Sequence, residues 1–355
     1  MNKIFTRSIV LVFLLLFNVK TFAQEIGEEI IVPKKTAIDT NYIQSYINKI
    51  QARFDVNTDL RTFRFNNPAP LKEFEIKPNQ DFQSRISISY KWLSLAYSFS
   101  PKIGSLNNDK EKGTTKVFGF ELNTNIKKLN QQLYFRSAKG YYVSNTENFR
   151  TELQNAGIIA KYINLPEFKT LQIGSESYYY FNGSKVSNRM SRFQKEMQKK
   201  SAGSLVAHLG LHYTSIDAKK EDFSVLESSI LPYEYPIYSK NIYAVAGLGY
   251  AYNYMITPNI YTTVLAVPMA GVQVSSVEFK SENFNKRSND FTYGGLAELS
   301  LGYNTDQIFF GVLGSLTQYT SPKAEVKVNG TQLYAMLFFG MRFNAPNNLK
   351  KSAKQ

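Results

Sequence analysis

From about residue 60 onward, hydrophobic positions recur at every second residue. Over 203–216, Leu205, Ala207, Leu209, Leu211 and Tyr213 alternate with Ser204, His208, Gly210, His212 and Thr214. Over 290–304, Phe291, Tyr293, Ala297, Leu299, Leu301 and Tyr303 oppose Thr292, Gly294, Glu298, Ser300 and Gly302. The stretches 242–256 and 331–343 repeat the pattern, with Tyr250, Tyr252 and Tyr254 closing one apolar row and Phe339 and Phe343 the other. A period of two places a greasy row and a polar row on opposite faces of a β-strand. These runs are about twice the 5–6 residues of an average soluble strand. They match the roughly 9–11 residues of a tilted transmembrane strand. Aromatic residues at the row ends fit an interfacial girdle. The pattern predicts an all-β protein, an antiparallel transmembrane β-barrel.

Turn signals divide the rows. Asn182-Gly183 follows the run from Tyr178 to Phe181, a strong hairpin signal. Asn304-Thr305-Asp306 and Thr257-Pro258-Asn259 each separate two long rows. At Lys91-Trp92 the apolar parity flips, from Ile86, Ile88 and Tyr90 to Leu93, Leu95, Tyr97 and Phe99, which requires a two-residue turn. Strands are expected near 84–91, 93–100, 115–124, 131–144, 171–181, 184–194, 203–215, 240–256, 259–272, 290–304, 306–319 and 331–343. That count puts the short turn at 257–259 on the long-loop side, against the rule that short turns share one side. Further strands near 71–77 and 223–230 would move it back, so the expectation is about 12–14 strands.

The N-terminal part reads differently. Lys3 and Arg7 precede an apolar run from Ser8 to Phe17, and Thr21-Phe22-Ala23 resembles a cleavage site. This predicts a signal peptide over 1–23, with Gln24 the first mature residue. The apolar run is too short to span a bilayer, which takes about 20 residues. Over 24–59, Asp39 or Thr40 could cap a short amphipathic helix carrying Ile43, Tyr46, Ile47, Ile50 and Phe54 on one face. The expected organisation is signal peptide 1–23, periplasmic segment with helix 24–59, barrel 60–343 and polar tail 344–355.

Composition sharpens this reading. Of 355 residues, 24 are Tyr and 26 Phe against a single Trp, an excess that favours strands and girdles. A mean hydropathy of −0.29 is too polar for a helical membrane bundle. The absence of cysteine excludes a thiolate metal site, a catalytic thiol and disulfides. The net charge of +14 would suit nucleic acid, but the basic residues are scattered and an export signal points elsewhere. Phosphate-rich lipid headgroups are the better match.

Several stretches carry a family resemblance: Tyr90-Lys91-Trp92-Leu93-Ser94-Leu95, Thr115 to Phe120, Lys139 to Asn145, Tyr179 to Asn182, and Ser191 to Gln194 with Gln198 to Ser204. Over about residues 60–343 the chain resembles a Bacteroidota outer-membrane barrel family known as domain of unknown function 4421. The resemblance implies an outer-membrane barrel and no particular activity. One departure is the polar tail after Phe343, where such barrels commonly end on the aromatic residue itself.

Candidate chemistry is sparse. His208 and His212 are the two histidines, at lumen parity, with Cα atoms about 13 Å apart along a strand. At that spacing they do not share a metal ion, and no metal or other cofactor is expected. The catalytic alternative is a membrane-embedded lipid acyl hydrolase in which one of them activates a serine from a neighbouring strand. Glu121, Arg136, Glu298 and Arg342 also sit at lumen parity, as an ion-pair network or a pore lining. Arg189, Arg192, Lys199 and Lys200 lie in a basic stretch suited to anionic lipid or an anionic ligand. The expected partners are outer-membrane lipids with lipopolysaccharide and a small-molecule or anionic ligand, and no nucleic acid. Asp217, Glu221 and Asp222 match no calcium-loop spacing. No phosphate loop, GxGxxG, HExxH or GxSxG occurs.

Overall fold

In the computed structural model the alternating rows form long strands, because each row buries one face and leaves the other outside. The structure describes residues 38–65, 74–80, 82–100, 108–126, 128–220, 236–280, 285–320 and 332–346. In chain order the strands are β1 (Ile43–Ser45), β2 (Lys49–Arg61), β3 (Phe63–Phe65), β4 (Phe74–Lys77), β5 (Gln83–Tyr90), β6 (Leu93–Phe99), β7 (Lys116–Ile126) and β8 (Leu129–Val143). They continue as β9 (Ile163–Tyr180), β10 (Glu196–Gln198), β11 (Ala202–Asp217), β12 (Pro236–Met255), β13 (Ile260–Phe279), β14 (Asn285–Asn304), β15 (Ile308–Thr320) and β16 (Gln332–Asn344). Two short helices, α1 (Asp109–Lys112) and α2 (Arg150–Asn155), lie in the long connections.

Twelve of the described strands close a barrel in the order β2, β5, β6, β7, β8, β9, β11, β12, β13, β14, β15, β16 and back to β2. Every neighbouring pair is antiparallel. Closure joins β2 to β16 with Gln51 opposite Arg342 and Leu60 opposite Leu333. Closing the sheet removes its edges, so every wall strand has both ladders filled.

Three expectations change here. The helix over 39–59 does not form: 43–45 and 49–61 are strands, and the barrel wall begins at Lys49 rather than at residue 60. In β2 the polar row Gln51, Arg53, Asp55 and Asn57 is buried inward, while Ala52 and Phe54 face out. The second change is at 184–194, which is no strand, and residues 182–201 turn into the barrel instead. Third, β4 forms within 71–77 but pairs with β3 and with the end of β8, outside the closed circle. The 223–230 expectation, the signal peptide, the segment 24–37 and the tail beyond Pro346 lie outside the described residues. Gaining β2 and losing 184–194 puts the turns at Lys91-Trp92, Lys128, 256–259 and 305–307 on one end, which removes the sidedness conflict.

The outward face is a broad apolar band. Ile88, Leu205, Leu248, Phe291, Leu299, Leu337 and Phe339 each expose half or more of their surface. The 20-residue strands β12, β13 and β14 run about 66 Å, or about 50 Å along a barrel axis tilted by about 40°, well beyond a band about 25 Å tall. The surplus lies at the long-loop end. There Phe63, Tyr141, Phe149, Leu153, Phe168 and Ile216 join an apolar cluster on the inner ends of β8, β9 and β11. Gly140 permits the register shift in the β8–β9 ladder between Lys139 and Tyr141: its φ is +87°, and a Cβ would sit 2.2 Å from the Thr114 carbonyl. The interior is lopsided. Val206, Val245, Leu265, Val267, Met269 and Leu296 pack the β11–β14 side, whereas the β2–β9 side is lined by amides, hydroxyls and charges.

Candidate functional site: the barrel interior and its plug

After β9 the chain does not make the hairpin that Asn182-Gly183 suggested. Residues 182–201 fold into the short-turn mouth, where Val186, Met190, Gln194 and Gln198 are fully buried. Their strand β10 pairs antiparallel with β1, Ile43 opposite Gln198 and Ser45 opposite Glu196. The two segments form a plug.

Much of the plug backbone is irregular, so its buried carbonyls need donors from elsewhere. The wall supplies them. Gln51 donates to the Gln194 carbonyl at 2.6 Å, and Asn130 to that of Asn188 at 2.6 Å. Asn253 donates to Ser187 at 2.9 Å and Asn304 to Glu196 at 2.9 Å. Arg53 reaches the carbonyl of Arg192, and Arg342 that of Gln194. These donors stand on β2, β8, β12, β14 and β16, so five walls grip one segment. Gln194 adopts φ +55° while its amide donates to the Tyr261 hydroxyl. A buried non-glycine residue holds that conformation only where its surroundings fix it.

Charged groups complete the plug. Arg189 pairs with Glu196 at 3.0 Å and donates to the Asn125 carbonyl at 2.9 Å, and Ser187 donates to the same carboxylate at 2.7 Å. Arg192 pairs with Glu298 and lies over the Tyr178 ring, 5.3 Å from its centroid. Lys195, almost wholly buried, donates to the Leu93 carbonyl at 2.9 Å and to that of Lys91 at 3.3 Å. Burial, reinforced by the nearby Arg189 charge, pushes its amine down to about 7. Burial likewise pushes the Glu196 carboxyl above the usual range, against the pull of Arg189.

Above the plug lies a cavity of about 210 Å³ against the β2–β9 wall, with Arg192 and Phe193 of the plug among its lining. An ion-pair chain runs along it: Arg53 to Asp55, Asp55 to Arg85 at 2.7 Å, Arg85 to Glu121 at 3.0 Å. Gln132 adds a donor to Glu121 at 3.1 Å.

The histidines converge more than strand spacing suggests. His208 hydrogen-bonds one oxygen of Glu176, and the His212 Nε2 lies 3.4 Å from the other. The Tyr134 hydroxyl meets His212 Nδ1 at 2.8 Å. The rings lean over Gly210, where a Cβ would come within 2.6 Å of His212 and 3.2 Å of His208. Both imidazoles turn to the Glu176 carboxylate. Ser204 accepts the Asn182 amide and donates to the Leu205 carbonyl. Among the described residues no group of three or more His, Asp or Glu side chains could hold a metal ion.

The other expected site residues divide. Glu121, Arg136 and Glu298 face the lumen, Glu121 and Arg136 along the cavity and Glu298 on Arg192. Arg342 sits lower, between the Tyr46 and Phe309 rings at 4.1 and 4.5 Å. Arg189 and Arg192 do not reach the outer surface and are committed to Glu196 and Glu298, so their reading as headgroup contacts is withdrawn. Lys199 and Lys200 are exposed beside Thr40 and Tyr42 at the mouth.

The family model described as "Domain of unknown function (DUF4421)" matches residues 37–344. The chain belongs to that family. The match spans both plug segments as well as the wall, so the plug is part of the family's domain. No curated protein matches the chain. Among solved structures it is similar to the translocator domain of the autotransporter NalP from Neisseria meningitidis, at 10% identity and TM-score 0.38 over 83% of this chain and 88% of that one. It is also similar to the COG4313 outer membrane channel from Pseudomonas putida F1, at 9% identity and TM-score 0.36 over 86% and 98%. The outer membrane protease OmpT from Escherichia coli matches at 7% identity and TM-score 0.34 over 84% and 96%.

Sequence reasoning missed Arg53 and Asp55 because β2 reads as a helix, and it missed Arg85, on an expected strand, because its partner Asp55 was then not placed inside the barrel. It missed Glu176 and Gln194 because one carboxylate or amide carries no signal until its neighbours are known. One signal was legible: Gln51, Arg53, Asp55 and Asn57 alternate with Ala52, Phe54 and Val56.

Proposed function

We propose that the chain is a bacterial outer-membrane β-barrel, exported by a cleavable leader at 1–23, that works as a binding or structural barrel rather than as an open channel. The grip of five wall strands on the carbonyls of 187–196 carries this reading. A segment held by that many buried hydrogen bonds closes the short-turn mouth as part of the fold. The apolar outward band supports a bilayer environment, and lipids including lipopolysaccharide are its neighbours there. Among the described residues no helix is long and apolar enough to cross a membrane. The hydrolase alternative draws no support from the histidines, whose neighbours are Glu176 and Tyr134.

The test is planar-bilayer recording on the mature barrel, with folding checked by a mobility shift on boiling. Conductance near background is expected. Stable channel-sized steps from the wild-type protein would refute closure, and a soluble chain with no boiling shift would refute the membrane assignment.

A further inference from the structure

The inward row at the level of the plug has one chemistry over five neighbouring strands. Gln51 stands opposite Ser89, Ser89 opposite Ser94, Ser94 opposite Asn123, and Asn123 opposite Gln132. All five line the cavity. The Ser89 hydroxyl donates to that of Ser94 at 2.8 Å. Two acceptors in the row, Gln51 Oε1 and Asn123 Oδ1, are buried without a hydrogen-bond partner, on side chains only 2% and 4% exposed. A buried acceptor left unmet costs about 1–3 kcal/mol, so it calls for a donor.

The charges nearby do not call for an ion. Arg53, Arg85, Arg136 and Arg192 line the space, and Asp55, Glu121, Glu176 and Glu298 stand at the same walls in ion pairs or hydrogen bonds. The four arginines and four carboxylates are equal in number, and Arg53, Arg85 and Arg192 each sit in a formed pair, so a charged guest would compete with those pairs. The rings of Tyr134, Tyr178 and Phe193 offer apolar faces to the same cavity. About 210 Å³ is below the roughly 300 Å³ at which drug-sized pockets begin.

We propose that this shelf, Gln51–Ser89–Ser94–Asn123–Gln132, binds a small neutral polyhydroxylated molecule, of the size of one sugar unit. Its hydroxyls donate to the two unmet acceptors and exchange hydrogen bonds with Ser94 and Gln132, while a ring face packs on the aromatic side chains. The proposal names the ligand class of the closed barrel described above and rests on it in taking the plug as the floor.

The experiment is titration calorimetry on the full mature barrel in detergent micelles, with glucose, galactose and N-acetylglucosamine as neutral probes. Glucose 6-phosphate and glucosamine supply the same ring with a charge of each sign. Saturable binding of at least one neutral sugar is expected, insensitive to salt. Asn123→Leu should weaken it by about tenfold or more, and Ser94→Val by about threefold to tenfold, the worth of one hydrogen bond. The boiling shift confirms that each variant folds, and the second variant serves if the first does not. Absence of binding by all neutral probes up to about 10 mM overturns the proposal. So does a charged derivative that binds more than tenfold tighter than its neutral parent and weakens with salt. A closed barrel that binds no sugar leaves closure intact, and a conducting barrel that binds sugar refutes closure alone.

Discussion

Arg342→Leu isolates one anchor of the plug. Arg342 is buried, and its guanidinium donates to the Gln194 carbonyl in the plug and to the Thr305 carbonyl and Asn304 side chain in the wall. It also lies over the Tyr46 ring. The substitution keeps the wall contacts of an apolar side chain but removes both links to the plug. A hydrogen bond from a charged donor contributes about 1.5–3 kcal/mol, and a desolvated cation–π contact about 1–2 kcal/mol. Gln51 still donates to the same Gln194 carbonyl at 2.6 Å, which offsets part of the loss. The net cost to plug seating is about 3 kcal/mol, or about a hundredfold in the ratio of seated to released plug. Hydrogen exchange read by mass spectrometry in micelles measures that ratio. Amides of 187–198 should exchange about a hundredfold faster while those of β12–β14 keep their protection. Exchange within about threefold of wild type in the plug would refute the anchoring argument. Equal loss of protection in plug and wall would show that the plug is not a separate unit.

Two further perturbations test the interior. Asp55→Ala removes a fully buried carboxylate held between Arg53 and Arg85, leaving two guanidiniums facing each other; stability should fall by about 3–5 kcal/mol, read as a lower urea midpoint for unfolding from vesicles, and an unchanged midpoint would refute the pairing. Lys195 gives a pH dependence. Its amine lies at about 7 in the folded plug against 10.5 in the open chain, so between those values the unfolded state binds more protons and stability rises with pH. Below about 7 both states are protonated and the full burial cost persists without further slope. The stability difference between wild type and Lys195→Met should therefore climb from pH 7 toward 10.5 and be flat below 7. A difference that is level across that range would refute the burial of a charged amine there.

The amino-acid order by itself determined eleven of the twelve wall strands, all but β2. A period of two over runs such as 203–216 and 290–304 fixes which face is apolar, because side chains alternate by geometry and no tertiary partner is needed to read them. Parity also fixed the inward positions of Glu121, Glu298 and Arg342. The tertiary structure decided the meaning of a polar row. The stretch that forms β2 reads locally as part of an amphipathic helix, yet pairing with β16 makes it a wall strand and turns Gln51, Arg53, Asp55 and Asn57 inward, where the polar side of a membrane barrel lies. It also decided 182–201, where the chain turns at Asn182-Gly183 but, instead of pairing back as a hairpin strand, is held by buried hydrogen bonds from five distant strands. Such bonds join residues more than a hundred positions apart in several cases, as with Gln51 and Gln194, and no window along the chain contains them. The convergence of His208 and His212 on Glu176 was settled in the same way, by a neighbouring strand and by the missing side chain of Gly210.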